Sequence, residues 1–488
     1  MWRAALAAAA LLSLGACAGA PEKPRLRQAQ DAEALTAAYF ATIKDNPPLL
    51  RAFLAQMPKG ADIHNHLDGG IYAEDFLAWA AEDGLCVDVE KWAILTLKAA
   101  PQCPDPATQM PAGAIVLDPD LSRQLINALS LRGFVPTPGW SGHDQFFASF
   151  ARMGRMPYRL GDMLARAAEQ AAAQNVGYLE LMVTLGWDFY AWAARVSDAK
   201  DPAILVAELE AAGLGERLAT ARREASQAIS EALARKDALL QCATPRAQAG
   251  CGVEIRLLHQ VIRTLPPAGT FAGFLLGYDL TATDARYVGL NLVAPEDDPR
   301  ALSYYDLHMA MLDYLWRQKG PRNIALHAGE LTLGLVRPAD LRQHIRKAID
   351  KGHARRIGHG VAIVYEDDMR GLLARMQAEN ILVEVNLTSN DVILGVSGAD
   401  HPITLYEAAG VPITLATDDE GVSRIDLSHE YQRAVASYGF GYGDVKRFAT
   451  NALAHAFLGP EAKAAALADL EARFAAFEAM VAGWEEER

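Results

Sequence analysis

Short apolar runs alternate with segments of helical periodicity along most of the chain. Eight of these runs have strand character, and most of them are followed by helical patterning. Strands that alternate with helices form parallel sheets, and eight such repeats predict a closed (β/α)8 barrel of the TIM type. The predicted strands are residues 61–67, 178–183, 274–280, 288–293, 324–327, 356–358, 381–387 and 413–417.

The connections after the first and second predicted strands are the longest, and both are helical in places. We predict that these two insertions cover the mouth of the barrel and do not form a separate domain. The chain ends in a helix whose apolar residues recur every three or four positions from Leu467 to Trp484. Such a stripe faces the core or a partner subunit. The barrel domain is expected over 58–488, after a tether and an N-terminal helical segment over 18–57.

The first residues have the pattern of an export signal. One positive charge precedes an apolar run over 4–14, which is much shorter than the roughly 20 residues of a membrane-spanning helix. The sequence LGAC at 14–17 resembles the lipobox of bacterial lipoproteins, in which the cysteine is acylated and becomes the mature N-terminus. We therefore predict a signal peptide over 1–17 and a periplasmic protein anchored to the outer membrane through Cys17. The alternative is a plain signal peptide, cleaved near residues 18–20.

The other cysteines agree with export. They form two pairs that are close in sequence, Cys86 with Cys103 and Cys242 with Cys251. In an oxidising compartment each pair is expected to form a disulfide, although four cysteines permit three connectivities. The alternative is four unpaired thiols, two or more of them buried.

Composition and charge narrow the range of partners. Hydrophobic residues make up 51% of the chain and charged residues 22%, as in a globular protein with a substantial core. The 46 Lys and Arg residues against 60 Asp and Glu residues give a net charge of −14. This acidic balance, without a basic run, argues against nucleic acid as a partner. A small neutral ligand is expected, and contact with a membrane only through the lipid anchor.

Four of the predicted strands end in histidines or carboxylates. Barrel enzymes build their active sites at the C-terminal ends of the strands, so these four motifs are expected to meet. His64 and His66 are two positions apart on one strand, so both side chains point to the same face and can converge on one ion. Each motif alone has a structural explanation, such as a buried histidine or a helix cap, but their joint occurrence predicts a site. The motifs are HNHLDG at 64–69, HAGE at 327–330, RIGHG at 356–360 and TDD at 417–419.

In this order the four motifs resemble the adenosine deaminase family, and the resemblance covers residues 57–431. It implies hydrolytic deamination of adenosine and 2′-deoxyadenosine to inosine and 2′-deoxyinosine, with release of ammonia. It also implies one zinc ion per chain, which activates the attacking water. The segment GLNLVAPEDD at 289–298, the long insertions and the export signal are more similar to the secreted, growth-factor-like members than to the short cytosolic ones.

The resemblance implies a role for each residue of the catalytic centre. Glu330 matches the acid that protonates purine N1, and it needs an apolar setting that raises its pKa. His359 matches the histidine that orients and deprotonates the metal-bound water. Imidazole and carboxylate donors without thiolate suit zinc, with iron, cobalt or manganese as substitutes. The residues that match the metal ligands are His64, His66, His327 and Asp418.

The resemblance also implies the substrate contacts. Asp419 matches the group that bonds purine N7, and Asp68 matches a contact to the sugar. Phe146 and Phe150, four apart on a predicted helix, match an apolar lid over the base, although core packing explains them equally well. Ala294 departs from the family, because it stands where a glycine donates its backbone N–H to purine N3.

Two further departures also concern the substrate and leave the reaction unchanged. Asn291 replaces a common aspartate, and Glu420 and the pair Asn386-Leu387 replace prolines or nearby residues that usually shape the loops. The alternatives are therefore deamination of another 6-aminopurine, namely adenine, AMP or a modified adenosine. A metal-dependent amidohydrolase acting on an unrelated amide is a third reading, but the lysine that bridges many binuclear sites has no obvious counterpart. Another alternative is a lipid-anchored binding protein that has lost catalysis. Such a protein would not need Glu330, His359 and Asp418 together.

Overall fold

The computed structural model describes residues 24–99 and 102–486, and a closed barrel of parallel strands forms its centre. The barrel strands pair in the orders β1-β5-β6-β7 and β8-β9-β10-β11, and the remaining strands form a small antiparallel sheet in the order β3-β2-β4. The strands are β1 (Gly60–His66), β2 (Leu85–Asp88), β3 (Ala93–Lys98), β4 (Gln109–Pro111), β5 (Val176–Val183), β6 (Glu254–Ile262), β7 (Tyr287–Val293), β8 (Ala325–Ala328), β9 (Arg356–His359), β10 (Leu382–Val385) and β11 (Ile413–Leu415).

Two parallel bridges close the barrel. Leu290 pairs with Ile324 between β7 and β8, and Asn65 pairs with Asp418 between β1 and the end of β11. The predicted (β/α)8 fold is therefore confirmed. The second bridge brings the end of the last strand beside the first histidine motif, so closure of the barrel also assembles the candidate site.

One of the eight predicted strands is wrong. Residues 274–280 lie inside the helix Pro267–Thr283, and the third barrel strand is β6. This helix is buried along most of its length, so its apolar residues show no amphipathic period and resemble a buried strand. Gly273 and Gly277 lie directly against β6, where a Cβ would come within 2.8 Å of Val261 and 2.9 Å of His259.

The first long connection joins β1 to β5 and carries the small sheet, which the sequence pattern did not predict. It contains the disulfide Cys86–Cys103. Its helix Gly142–Arg152 packs against the helices Leu387–Leu394 and Glu420–Ser423, which follow β10 and β11. This insertion therefore covers part of the barrel mouth, as predicted. Its helices are Leu67–Gly70, Ala73–Glu82, Ala112–Leu117, Pro119–Ala128, Gly142–Arg152 and Leu160–Ala173.

The second long connection joins β5 to β6 and contains the disulfide Cys242–Cys251. Its longest helix, Leu214–Leu239, packs against the helices Leu160–Ala173 and Pro267–Thr283, which lie on the flank of the barrel. The expectation that this insertion covers the mouth is therefore wrong for its longest helix. Small buried residues at helical spacing, including Ala221 and Ala225, allow this close packing. Its helices are Trp187–Val196, Pro202–Ala211 and Leu214–Leu239.

The two ends of the described chain pack against each other. The helix Pro24–Ile43 contacts the C-terminal helix Pro460–Glu486, and Phe53 meets Phe477 with ring centroids 5.0 Å apart. The C-terminal apolar stripe therefore faces the core. The other helices are Pro47–Gln56, Pro267–Thr283, Pro299–Lys319, His344–Asp350, Met369–Ala378, Leu387–Leu394, Ile403–Ala408, Glu420–Ser423, Leu427–Tyr438 and Tyr442–His455.

The predicted signal peptide and Cys17 lie outside the described residues. The helix that begins at Pro24 occupies part of the segment for which a tether is predicted, because it gains packing against the C-terminal helix. Among the described helices none is long and apolar enough to cross a membrane.

Candidate metal centre and active site

Four ligand atoms from three barrel segments converge on one point. His327 Nε2 lies 3.1 Å from the Nε2 atoms of both His64 and His66. Asp418 Oδ1 lies 3.2 Å from each of the same two nitrogens. Ligand atoms that each lie 2.0–2.1 Å from one zinc ion are roughly 3 Å from one another, so the spacing fits a single metal ion. All four residues are buried.

The far side of each ligating imidazole is held by a side-chain oxygen. When Nδ1–H donates to this oxygen, the Nε2 lone pair faces the common centre, which is the tautomer that a metal requires. The pairs are His64 with Glu384 (2.6 Å), His66 with Gln260 (2.6 Å) and His327 with Asn291 (3.0 Å). The donor set and its supports therefore both fit a bound metal.

Arg356 of the RIGHG motif stabilises one of these supports. Its Nε lies 2.6 Å from Glu384 Oε1, and its Nη1 lies 2.8 Å from Glu180 Oε2. All three side chains are almost completely buried, so this pairing compensates charges that are expensive to bury alone. The ligand His64 is thus connected through Glu384 to an ion network inside the barrel.

Asp418 reaches the centre from a left-handed backbone conformation, with φ of 61°. Hydrogen bonds to β1 hold this backbone: Asp418 N donates to His64 O at 2.9 Å, and His66 N donates to Asp418 O at 2.8 Å. The second carboxylate oxygen accepts from Ser389 Oγ at 2.7 Å. Burial alone would raise the pKa of Asp418, but the imidazoles of His64 and His66, 3.2 Å away, hold it well below its usual range.

Glu330 and His359 lie beside the ligand atoms. His359 Nδ1 is 3.6 Å from Glu330 Oε1, and His359 Nε2 is 4.0 Å from Asp418 Oδ2. Burial, with the nearby charges of Asp418 and Glu296, raises the pKa of Glu330 well above its usual range. Burial lowers the pKa of His359 to about 3. The site therefore contains a carboxyl group whose surroundings favour its protonated form and an imidazole that is uncharged at neutral pH.

Glu296 holds the loop that carries Glu330. Its Oε2 accepts from Glu330 N at 2.8 Å, and its Oε1 accepts from Gly329 N at 3.1 Å and from His344 Nδ1 at 2.6 Å. Glu296 is 1% exposed, so these bonds are the reason that a charged side chain is tolerated there. Glu296 therefore fixes the backbone that carries Glu330.

Asp419 is a buried carboxyl group with a free acceptor. Its Oδ1 has no hydrogen-bond partner among the residues that the structure describes, and burial raises its pKa well above the usual range. Gly69 leaves the space for this group, because a Cβ there would lie 1.6 Å from Asp419 Oδ1. Asp68, next to Gly69, has an exposed side chain and is accessible to a ligand.

Two predicted substrate contacts remain, the backbone of Ala294 and the apolar lid of Phe146 and Phe150. Ala294 follows β7 with φ of 78°, in the region that favours glycine. Phe146 is 2% exposed and packs in the core beside the half-buried Phe150, with ring centroids 5.6 Å apart.

The sequence reasoning missed Gln260, Glu384 and Glu296 as functional residues. Glu384 was visible as a charged residue within an otherwise apolar strand, a position that a carboxylate occupies only with partners. Gln260 belongs to the strand that was not predicted. Glu296 lies in the segment 289–298, but no local pattern shows that it holds a loop 33 residues away.

Comparisons with known proteins identify related proteins. A family model described as adenosine deaminase matches residues 144–472. The chain is similar to an adenine deaminase of Rhizobium leguminosarum bv. trifolii, with 30% identity over 227 residues, or 46% of this chain and 64% of that protein. It is similar to an adenosine deaminase of Erwinia tasmaniensis, with 37% identity over 150 residues, or 30% of this chain and 42% of that protein. The matches thus span less than two thirds of these relatives.

Solved structures share the fold. An N6-mAMP deaminase of Arabidopsis has a TM-score of 0.56 and 20% identity, with 86% of this chain and 99% of that chain covered. An amidohydrolase of Burkhoderia ambifaria with bound Zn has a TM-score of 0.52 and 20% identity, with 89% of this chain and 94% of that chain covered.

Proposed function

The chain belongs to the adenosine deaminase family, and from this premise we propose that it is a zinc-dependent hydrolase that deaminates adenosine and 2′-deoxyadenosine. One observation carries the proposal: His327 Nε2 and Asp418 Oδ1 each lie 3.1–3.2 Å from the Nε2 atoms of His64 and His66, beside a carboxyl group of raised pKa and a neutral imidazole. A binding protein without catalysis has no need for this combination.

Zinc would be held by the four residues of the centre, and when bound it supplies a water whose pKa is lowered to about 7. Deamination replaces the C6 amino group by the oxygen of water and releases ammonia. Glu330 donates its proton to purine N1, which makes C6 more electrophilic. Its raised pKa favours the protonated form that this step requires. His359 would form a hydrogen bond with the attacking oxygen.

Asp419 would bind the base through N7. This nitrogen is only an acceptor, so its partner must donate. The raised pKa of Asp419 favours the protonated form of its carboxyl group, which would then serve as the donor. The same bond satisfies a buried group that otherwise lacks a partner.

The sugar preference rests on Asp68 and on charge. Asp68 is exposed two positions after the ligand His66, so it can accept a hydrogen bond from a ribose hydroxyl. Loss of such a partner costs about 1–3 kcal/mol, so free adenine should be poorer by roughly 10-fold to a few hundredfold in kcat/KM. AMP brings a dianion toward Asp68 in a chain of net charge −14, and it should be a weak substrate.

The second candidate is deamination of another 6-aminopurine. Ala294 carries a methyl group in a left-handed conformation where a glycine would leave space, which favours a smaller or shifted base. The Rhizobium relative is named an adenine deaminase. Loss of ultraviolet absorbance measures kcat/KM for adenosine, 2′-deoxyadenosine, adenine, AMP and N6-methyl-AMP under one set of conditions. If adenine or a nucleotide leads, the nucleoside assignment is wrong; if none is turned over by zinc-loaded protein, deamination itself is wrong.

We also propose that the protein is exported and anchored through Cys17, with the barrel domain beginning near residue 58. The sequence LGAC at 14–17 and the two disulfides support this. Intact-mass analysis of membrane-derived protein should show a chain that starts at an acylated Cys17. A start at residue 18 or later would exclude the anchor.

A further inference from the structure

A chain of hydrogen bonds runs from a backbone amide to His359. Ile403 N donates to His401 Nδ1 at 3.1 Å, and His401 Nε2 lies 3.0 Å from Asn390 Oδ1. The amide nitrogen of Asn390 lies 2.9 Å from His359 Nδ1. His359, Asn390 and His401 are all at most 2% exposed, so water does not compete for these bonds.

The donor and the acceptor of each of these hydrogen bonds follow from the first bond, which a backbone amide donates. A backbone N–H can only donate, so His401 Nδ1 must accept, and the neutral ring then carries its hydrogen on Nε2. This Nε2–H donates to Asn390 Oδ1, which fixes the orientation of the amide. The NH2 group of Asn390 therefore faces His359, and His359 Nδ1 must accept. The neutral ring of His359 then carries its hydrogen on Nε2.

The other neighbours of His359 Nδ1 do not reverse this polarity. Asn386 Nδ2 lies 3.4 Å from the same nitrogen and is also a donor. The nearest carboxylate oxygen, Glu330 Oε1, is 3.6 Å away, beyond hydrogen-bond distance. On the opposite side of the ring, His359 Nε2 has no hydrogen-bond partner within the described part of the chain. It lies 4.0 Å from Asp418 Oδ2 and thus faces the metal centre.

We propose that Asn390 and His401 are positioning residues that hold His359 as the Nε2–H tautomer, so that His359 donates a hydrogen bond to the attacking oxygen and does not act as a base. The inference rests on the proposed function for its catalytic meaning. In this role His359 gains and loses no proton. The attacking water releases its proton to bulk solvent before the purine binds, and the Nε2–H bond stabilises negative charge on the oxygen as it attacks C6.

The tautomer can be observed without turnover. In zinc-loaded protein labelled with 15N-histidine and free of purine, two-bond 15N–1H spectra distinguish a protonated Nε2 from a protonated Nδ1. The signals of His359 are those absent from His359→Gln. We expect protonation at Nε2 alone. Protonation at Nδ1 in the wild-type protein overturns the proposal, and the result is independent of which purine is deaminated.

Asn390→Asp tests the source of the tautomer. The carboxylate has the same shape but accepts from Nδ1–H, so the hydrogen of His359 should move to Nδ1. The matched control is Asn451→Asp, because Asn451 is a half-buried asparagine bonded to Ile413 O, distant in the chain from His359. It should leave the His359 spectrum unchanged. An unchanged His359 spectrum in Asn390→Asp contradicts the proposal.

His401 supplies a second variant if Asn390→Asp does not fold. His401→Ala frees the Asn390 amide to rotate, so His359 should become a mixture of tautomers and kcat should fall by ~10–100-fold, as for other supports of a metal site. KM should remain unchanged. His401→Gln restores an acceptor for Ile403 N and a donor for Asn390, and it should rescue both the spectrum and kcat. Failure of all purines in the substrate panel would refute the proposed function, whereas an unaltered tautomer in His401→Ala would refute the inference.

Discussion

Gly69 leaves the space that the Asp419 carboxyl group occupies, so a single methyl group at this position should displace it. A Cβ on Gly69 would lie 1.6 Å from Asp419 Oδ1, 2.5 Å from Cγ and 2.9 Å from Cβ. To reach ordinary van der Waals contact the carboxyl oxygen must move by about 2 Å. Asp419 is 3% exposed, so overpacking should cost about 1–3 kcal/mol of stability.

Such a displacement removes the proposed bond to purine N7 and leaves the metal ligands in place. Gly69→Ala should therefore keep its zinc but lose roughly 10-fold to a few hundredfold in kcat/KM for adenosine. The loss should be much smaller for 7-deazaadenosine, which has carbon in place of N7. Elemental analysis gives the zinc content, and the fall in ultraviolet absorbance gives the rates.

The matched control is Gly113→Ala, in the helix Ala112–Leu117 of the first connection. A Cβ on Gly113 meets nothing within 4 Å, so this variant should behave as the wild-type protein. Gly69→Ala with wild-type kcat/KM for adenosine would refute the reasoning. An equal loss for both nucleosides would show that the methyl group acts on something other than the N7 contact.

Three further changes test other parts of the site and the core. His327→Ala should lose the bound metal and turnover, and its Tm should fall because metal binding stabilises the folded state; full activity without metal would contradict this. Glu330→Gln should keep the metal while turnover falls by ~10²–10⁴-fold, since it removes the acid. Burial raises the pKa of Glu430 from 4.5 to about 7, so unfolding should become easier by up to roughly 3 kcal/mol as pH rises through that range. Glu430→Gln should remove this part of the pH dependence in denaturant titrations, and an unchanged pH profile would count against it.

The barrel was predictable from the chain because most of its strands are apolar runs of characteristic length. The strand predicted over 274–280, which is part of a helix, shows the limit of that signal. The helix Pro267–Thr283 is buried almost throughout, so its pattern lacks the polar face that identifies a helix. β6, in contrast, carries Arg256, His259 and Gln260, which interrupt the apolar run that identifies a buried strand.

The candidate metal ligands were predictable because their motifs lie at the ends of three barrel strands, β1, β8 and β11. The residues that hold them were not, because each partner lies far away in the chain. Glu384 is 320 positions from His64, and Gln260 is 194 positions from His66. Only the closed barrel brings these pairs together, and no local spacing encodes them.

The two disulfides have a consequence for where the molecule can mature. Cys86–Cys103 and Cys242–Cys251 join positions only 17 and 9 residues apart, and each closes a loop inside one connection. Neither ties one barrel strand to another, and neither loop carries a metal ligand. The barrel should therefore assemble its metal centre with its thiols reduced. Because oxidation cross-links residues of the two insertions alone, disulfide formation and assembly of the candidate metal centre are expected to be separate events.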